Sequence, residues 1–293
     1  MIYILENDQL RVKISSLGAE LQSIRSVEDG TEYLWQGDSQ FWARRASNLF
    51  PVCGRLWEGK HIYDGTAYEM GSHGFARGKE WEVIHQKANA LTLQLLPDEE
   101  TLAAYPFRFV LEMTYTLDGN SLSVTTIVHN ESDAVMPFAV GGHPGFNVPL
   151  GGEGEFEDYY LEFGKACSPD QIEISPRGLF TGKKTAYPLE DGNKLPLSHK
   201  LFEVDGIFLS RMDSTVTLKS KKSTRAVTLE YPDMPYLGVW HSAKSEAPFV
   251  CIEPWQSTPS PITEDLSWEN KPATACLAPG ESYKVTMKTT FKR

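Results

Sequence analysis

The 293-residue chain carries 28 basic against 39 acidic side chains, a formal net charge of −11. An acidic surface of this size argues against a nucleic-acid backbone or an anionic membrane as partner, and it favours a neutral or cationic ligand. With 41% hydrophobic and 23% charged residues the composition is that of a globular chain with a core, and at this length one all-β domain over 1–293 is the expectation.

No apolar run is long enough to span a bilayer. The opening "MIYILENDQLRVKIS" lacks a basic segment followed by an apolar one, so no secretory signal is expected. The cysteines Cys53, Cys167, Cys251 and Cys276 are widely spaced, with no Cys-x-x-Cys pair. Reduced, mostly buried thiols in a cytoplasm are expected, and no zinc or redox motif.

Period-2 patterning dominates. In chain order, "LRVKIS", "LTLQLL" (91–96), "FVLEMTYTL", "LSVTTIVHN", "STVTLKS", "RAVTLEY" and "YKVTMKTTF" alternate apolar and polar residues, as half-buried strands do. Turn signals separate them at Asp64-Gly65, Asp118-Gly119-Asn120, Gly151-Gly152, Asp191-Gly192-Asn193 and Gly280. The clearest hairpin is "TYTLDGNSLSVTTIVHN", with its Asp-Gly-Asn turn. Helices are scarce: "DEETLAAYPF" allows a turn or two before Pro106 ends it. Residues 150–200, rich in Gly, Pro and charge, read as long loops. The fold class is a large antiparallel β-sandwich, with a concave face or a ring of loops where a ligand can sit.

Four stretches depart from this patterning: "NLFPVCGRLWEG" (48–59), "GSHGFARGKEW" (71–81), "AVGGHPGFN" (139–147) and "FVCIEPWQSTPSP" (249–261). Glu253 ends a strongly apolar run beside Pro254-Trp255. A carboxylate buried there becomes a better base, or else it pairs with an arginine at a strand end. His143 lies among Gly141, Gly142, Pro144 and Gly145. That reads as a turn that lets a ligand approach the imidazole, or as a loop histidine bonded to backbone. His73, followed by Gly74, is a site residue or a surface-turn residue. Arg55 follows "LFPVC" and forks onto an oxygen-rich ligand or a core carboxylate. Asp205 inside "FEVDGIFL" reads first as a turn aspartate before Gly206. His61, His85, His129 and His199 look ordinary, and His241 is a weak candidate. The histidines and Glu253 lie far apart in sequence without i, i+4 spacing, so no metal is expected. There is no phosphate loop and no nucleophile elbow.

Taken together, "LGAELQSI", "EYLWQGD", "NLFPVCGRLWEGKHIYDG", "SHGFARGKEW", "GGHPGFN", "VDGIF" and "FVCIEPW" resemble the aldose 1-epimerase (galactose mutarotase) family over nearly the whole chain. The short form resembles the branch of the family related to its bacterial lactose-operon-associated members, not the longer galactose-utilisation enzymes. The resemblance implies a β-supersandwich, no cofactor and a small-molecule sugar as partner. It implies Glu253 as the base that takes the C1 hydroxyl proton and His143 as the acid that protonates the ring oxygen. His73 would bond the sugar near the reacting oxygens, Arg55 would match the family's arginine, and Asp205 would grip a hydroxyl. Trp255 or Trp240 would offer the ring an apolar face. "SHGFARG" has one glycine after the histidine where the galactose enzymes usually show two, which leaves the sugar open. A related branch acts on hexose 6-phosphates, and Arg44, Arg45 and Arg77 are the arginines near enough in sequence for that role. They also read as surface charges or ion pairs. A carbohydrate-binding protein without useful turnover is the alternative outside enzymes.

Overall fold

The alternating runs are strands in the computed structural model, which describes residues 1–262, 265–268 and 271–293. Two antiparallel sheets carry most of them. The first has nine strands. Its middle is the long hairpin Phe109–Asp118/Ser121–Asn130 with Ser282–Lys292 paired alongside. The alternation Phe109, Leu111, Met113, Tyr115, Leu117 puts one face of the hairpin in the core. A three-stranded sheet, Ile2–Glu6, Leu10–Ser15 and Leu21–Ser26, adds Leu5, Leu10, Val12 and Ile14 to the same core.

The second large sheet has seven strands, in the order Phe180–Ala186, Asp170–Ile174, Ile207–Ser210, Tyr236–Trp240, Phe249–Trp255, Gly141–Asn147 and Ala46–Leu49. Its inner face packs toward the first sheet: Val250 and Ile252 join the main core, and a Cβ on Gly142 would meet Met287 of the first sheet at 3.3 Å. The outer face carries Phe249, Cys251, Glu253 and Trp255, of which Phe249 and Cys251 pack into one smaller cluster and Trp255 into another. Both faces of Phe249–Trp255 are therefore buried, and the strand reads as a continuous apolar run with one acid in it.

Two expectations are corrected. The 150–200 region is not a set of long loops: Tyr159–Phe163, Asp170–Ile174, Phe180–Ala186 and Lys194–Pro196 are strands in the two sheets. Its turn residues punctuate short strands, which hid them. The one α-helix among the described residues is Glu99–Ala104, capped by Asp98, whose side chain accepts from the Thr101 N–H. That is the turn-or-two read from "DEETLAAYPF".

The second correction concerns the glycines around His143. Gly141–Asn147 is a central strand, not a turn, and none of its glycines has a positive φ. They are there because the outer face has no room. A Cβ on Gly141 would lie 2.8 Å from Trp255 Cδ1 and 3.1 Å from Cys53 Sγ, and one on Gly145 would lie 3.2 Å from Trp35 and Trp42. The glycines accommodate aromatic rings beside His143. Gly141→Ala is expected to lower stability by roughly 1–3 kcal/mol through overpacking, read from the urea midpoint. An unchanged midpoint would refute the steric account.

Candidate active site

Register brings the two main candidates together. In the ladder between the Gly141–Asn147 and Phe249–Trp255 strands, Gly141 pairs with Trp255 and Gly145 with Cys251, so His143 stands opposite Glu253. Opposed residues of an antiparallel pair project from the same face within side-chain reach. His143 Nε2 lies 3.3 Å from Glu253 Oε2. Both are buried, with 8% of His143 and 1% of Glu253 exposed. On its other side Glu253 faces Gly238, where a Cβ would come within 3.2 Å of the Glu253 Cβ.

Aromatic rings enclose the pair. Trp42 stacks on the His143 imidazole at 4.8 Å, and Trp240 meets it edge-on at 5.6 Å. His73 also meets it edge-on, at 5.5 Å, and lies the same distance from Trp255.

The burial has electrostatic consequences. Desolvation pushes the Glu253 carboxyl well above its usual value, and the charge of Asp205 pushes it the same way. The Trp255 indole opposes this weakly, from outside good hydrogen-bond geometry. Desolvation lowers His143 to about 3, and Arg77 and Arg44 add to the effect. Glu253 Oε1 and His143 Nδ1 are buried without a hydrogen-bond partner. Unpartnered buried polar atoms are uncommon.

His73 is fixed by a two-way clamp. Its backbone N–H donates to the Gly54 carbonyl at 2.7 Å, and the Gly54 N–H donates to His73 Nδ1 at 3.1 Å. Gly54 sits at φ +74°, where a Cβ would also strike Pro259 at 2.5 Å. His73 itself has φ 63°, in a region that histidine tolerates better than most residues. Because Nδ1 accepts, the proton of the neutral ring is on Nε2. Burial, then His143 and the arginines Arg77, Arg55 and Arg44, hold His73 well below 6.5.

A cavity of about 350 Å³ is lined by all five residues singled out from the sequence, His143, Glu253, His73, Arg55 and Asp205. Trp240 and Trp255, named as candidates to face a sugar, line it too. Asp205 is both things at once: its Oδ1 accepts from the Gly206 N–H at 2.8 Å, as a turn aspartate does, and its half-buried carboxyl is raised by desolvation. Arg77 also lines the cavity, its guanidinium donating to the Ser72 carbonyl, while Arg44 donates to the Arg77 carbonyl from behind. Arg45 does not take part; it lines a separate surface groove with Arg11 and Arg25. His241 is buried against Phe202 and His199, outside the cavity lining.

The sequence reading missed Trp42, Phe208, Ser72 and Pro259, which also line the cavity. Trp42 sits in an irregular segment whose only signal was an aromatic without strand alternation. His143, Cys251 and Glu253 bring ligand atoms within 4.8 Å of one another, the nearest approach to a metal-ligand cluster among the described residues. Cys251 is pushed well above 9 by burial and by Glu253, so a metal there would have to displace a thiol proton.

A buried acid and imidazole in contact, ringed by aromatics and polar loop residues, line one cavity on an all-β scaffold. Comparison with known proteins places it further. The family profile described as aldose 1-epimerase matches residues 1–290, and the chain belongs to that family. It is 35% identical to the chromosomal protein LacX of Lactococcus lactis over 98% of both chains. Among solved structures it is similar to a galactose mutarotase related enzyme of Lactobacillus acidophilus, with TM-score 0.96, 32% identity, and 100% and 98% of the two chains covered. It is also similar to a galactose mutarotase-like protein of Lactobacillus casei, with TM-score 0.94, 34% identity, and 99% and 100% covered. No helix among the described residues is long and apolar enough to cross a membrane.

The clamp makes a specific statement about His73. Its ring is expected to stay neutral, with the proton on Nε2, from pH 8 down to pH 5. Nitrogen-15 NMR of the histidine side chains checks this, and a titration near 6.5 would contradict it.

Proposed function

We propose that the protein is a mutarotase that interconverts the α and β anomers of an aldohexose by acid–base ring opening. The 3.3 Å contact between the buried Glu253 and His143 carries this reading.

Ring opening needs a proton removed from O1 and one delivered to O5. Burial favours the uncharged form of each partner, and in this mechanism the pair holds one proton between them, starting on Glu253 beside a neutral imidazole. Transfer of that proton to His143 gives a carboxylate and an imidazolium, with no change in net charge. Glu253 then takes the O1 proton while His143 gives its proton to O5, and the C1–O5 bond breaks to leave the aldehyde. Rotation about C1–C2 turns the other carbonyl face toward O5. Closure reverses both transfers: His143 takes the O5 proton and Glu253 returns one to O1. The pair ends as it began.

The neighbouring groups support this assignment. His73 offers an Nε2–H donor for a sugar oxygen. Asp205 accepts from a hydroxyl, and Arg55 donates to others. Trp240 and Trp255 face the apolar C–H surface of the ring.

A second reading of the substrate rests on the arginines. Among the described residues, Arg44, Arg55 and Arg77 form no ion pair with a carboxylate, yet Arg55 and Arg77 line the cavity. Cations without a carboxylate in ion-pair contact favour a sugar that carries an anionic group, such as a hexose 6-phosphate.

Glu253→Gln and His143→Asn are each expected to lower kcat/KM by roughly 10²–10⁴-fold. Polarimetry on freshly dissolved α-glucose, α-galactose and glucose 6-phosphate measures this and ranks the sugars. Undiminished turnover in a folded Glu253→Gln variant would overturn the mechanism.

The pH profile provides a separate test. Activity is lost in acid only when the pair gains a second proton, which follows His143's lowered value of about 3. It is lost in alkali when the pair gives up its single proton, which follows Glu253's raised value. Since kcat/KM reports the free enzyme, no acid limb is expected at pH 6.5, where an ordinary histidine would produce one. An acid limb centred at 6.5 would contradict the assignment.

A further inference from the structure

Cys251 stands beside the acid–base pair. Its Sγ, a ring nitrogen of His143 and a carboxylate oxygen of Glu253 all lie within 4.8 Å of one another, and all three residues are buried. Register explains the grouping. Cys251 and Glu253 are two apart on one strand and share its outer face. His143 stands opposite Glu253 on the next strand. The residue opposite Cys251 is Gly145, which has no side chain. A Cβ there would lie 3.4 Å from Cys251 Sγ, so the thiol leans across the ladder toward the strand that carries His143. The acid–base mechanism uses Glu253 and His143 and gives Cys251 no part.

The spacing fits a tetrahedral ion. Zinc holds nitrogen and oxygen ligands at about 2.0–2.2 Å and sulfur at about 2.3 Å, which sets neighbouring ligand atoms about 3.3–3.6 Å apart. His143 Nε2 and Glu253 Oε2 already stand 3.3 Å apart. The Cys251 thiol turns about a single bond, a movement that closes the remaining gap of about 1 Å to the tetrahedral spacing. The second oxygen, Glu253 Oε1, is buried without a hydrogen-bond partner, so no protein donor competes for it. The donor types agree with the spacing. Thiolate, imidazole and carboxylate together suit zinc, whereas magnesium and calcium take oxygen ligands. The charge agrees as well: Zn²⁺ with one thiolate and one carboxylate sums to zero, which suits a site closed to water. A zinc ion with three protein ligands keeps a water in its fourth position, and the cavity lined by His143 and Glu253 has room for it.

We propose that Cys251, Glu253 and His143 form an inhibitory zinc site, in which the bound ion takes the lone pairs that the acid and the base need to move protons. On binding, the Cys251 thiol and the Glu253 carboxyl each give up a proton to solvent, and bonds to the metal replace them. The inhibition rests on the mutarotase reading; the binding does not.

The experiment uses Co²⁺ as a visible stand-in for Zn²⁺. Titrated into the reduced protein, Co²⁺ is expected to give a tetrahedral visible spectrum with a sulfur-to-cobalt charge-transfer band, and Zn²⁺ to bleach both. Cys251→Ala and Cys251→Ser are expected to lose the sulfur band and to bind Zn²⁺ at least about a hundredfold more weakly by calorimetry, the upper end of what loss of a mere supporting partner costs. His143→Asn is expected to weaken Zn²⁺ binding likewise. Cys276→Ser, which removes an exposed thiol, is expected to leave the spectrum and the affinity as they are. In polarimetry Zn²⁺ is expected to stop mutarotation by wild type and a chelator to restore it. Cys251→Ala is expected to keep its metal-free turnover and lose most of its sensitivity to Zn²⁺.

The failures are distinguishable. A cobalt spectrum without the sulfur band, or one that survives Cys251→Ala, refutes the site and leaves the mutarotase reading standing. If Cys251 binds the metal but saturating Zn²⁺ leaves turnover unchanged, the inhibition is refuted. If no sugar equilibrates faster with metal-free wild type, the mutarotase reading fails and the inhibition with it, while the cobalt spectra of wild type and the Cys251 variants still decide the site.

Discussion

Everything in this protein's site depends on holding a carboxylate and an imidazole in contact inside a sheet. A buried titratable group is costly to charge on its own, and a neighbour that can share its proton lowers that cost. The fold meets this by setting Glu253 and His143 opposite each other on neighbouring antiparallel strands, where backbone hydrogen bonds fix their spacing. No loop has to close to bring them together. The surrounding packing follows from that choice. Trp42 and Trp240 pack against the imidazole, and Gly141, Gly145 and Gly238 make the space that the rings and the carboxylate occupy.

The two faces of the sheet have separate tasks. The side chains of Val250 and Ile252 tie it to the main core, while Cys251, Glu253 and Trp255 serve the outer face. A one-residue register slip would exchange these sets and put Glu253 into the apolar sandwich. The register is therefore specified by the core and used by the site. The same economy appears at Gly54, whose backbone both receives and supplies a hydrogen bond to His73 and so sets its tautomer.

Much of this was legible in the sequence. The alternating runs gave the strands, because half-buried strands write their burial pattern in period 2. All five candidate residues line one cavity. Their convergence was carried by the family resemblance, since spacing alone says nothing about which distant strands pair. The glycines near His143 read as a turn that lets a ligand approach, whereas they are strand residues that leave room for Trp255, Trp35 and Trp42. A glycine that admits a neighbouring ring and a glycine that bends the chain look alike in one dimension. The strands between 159 and 196 were hidden by the turns that separate them. Trp42 was missed because its segment has no periodicity, and Arg45 was grouped with Arg44 because adjacency in sequence conceals opposite directions.

The division of residues between strands and loops has a consequence for how such a protein changes. Glu253 and His143 belong to central strands. His73, Arg55 and Asp205 lie in irregular segments that the sheet merely supports. Insertions and substitutions accumulate in such segments while central strands resist them. On the proposed reading, a lineage can redraw which sugar it holds, residue by residue along the rim, and inherit its proton-moving floor intact.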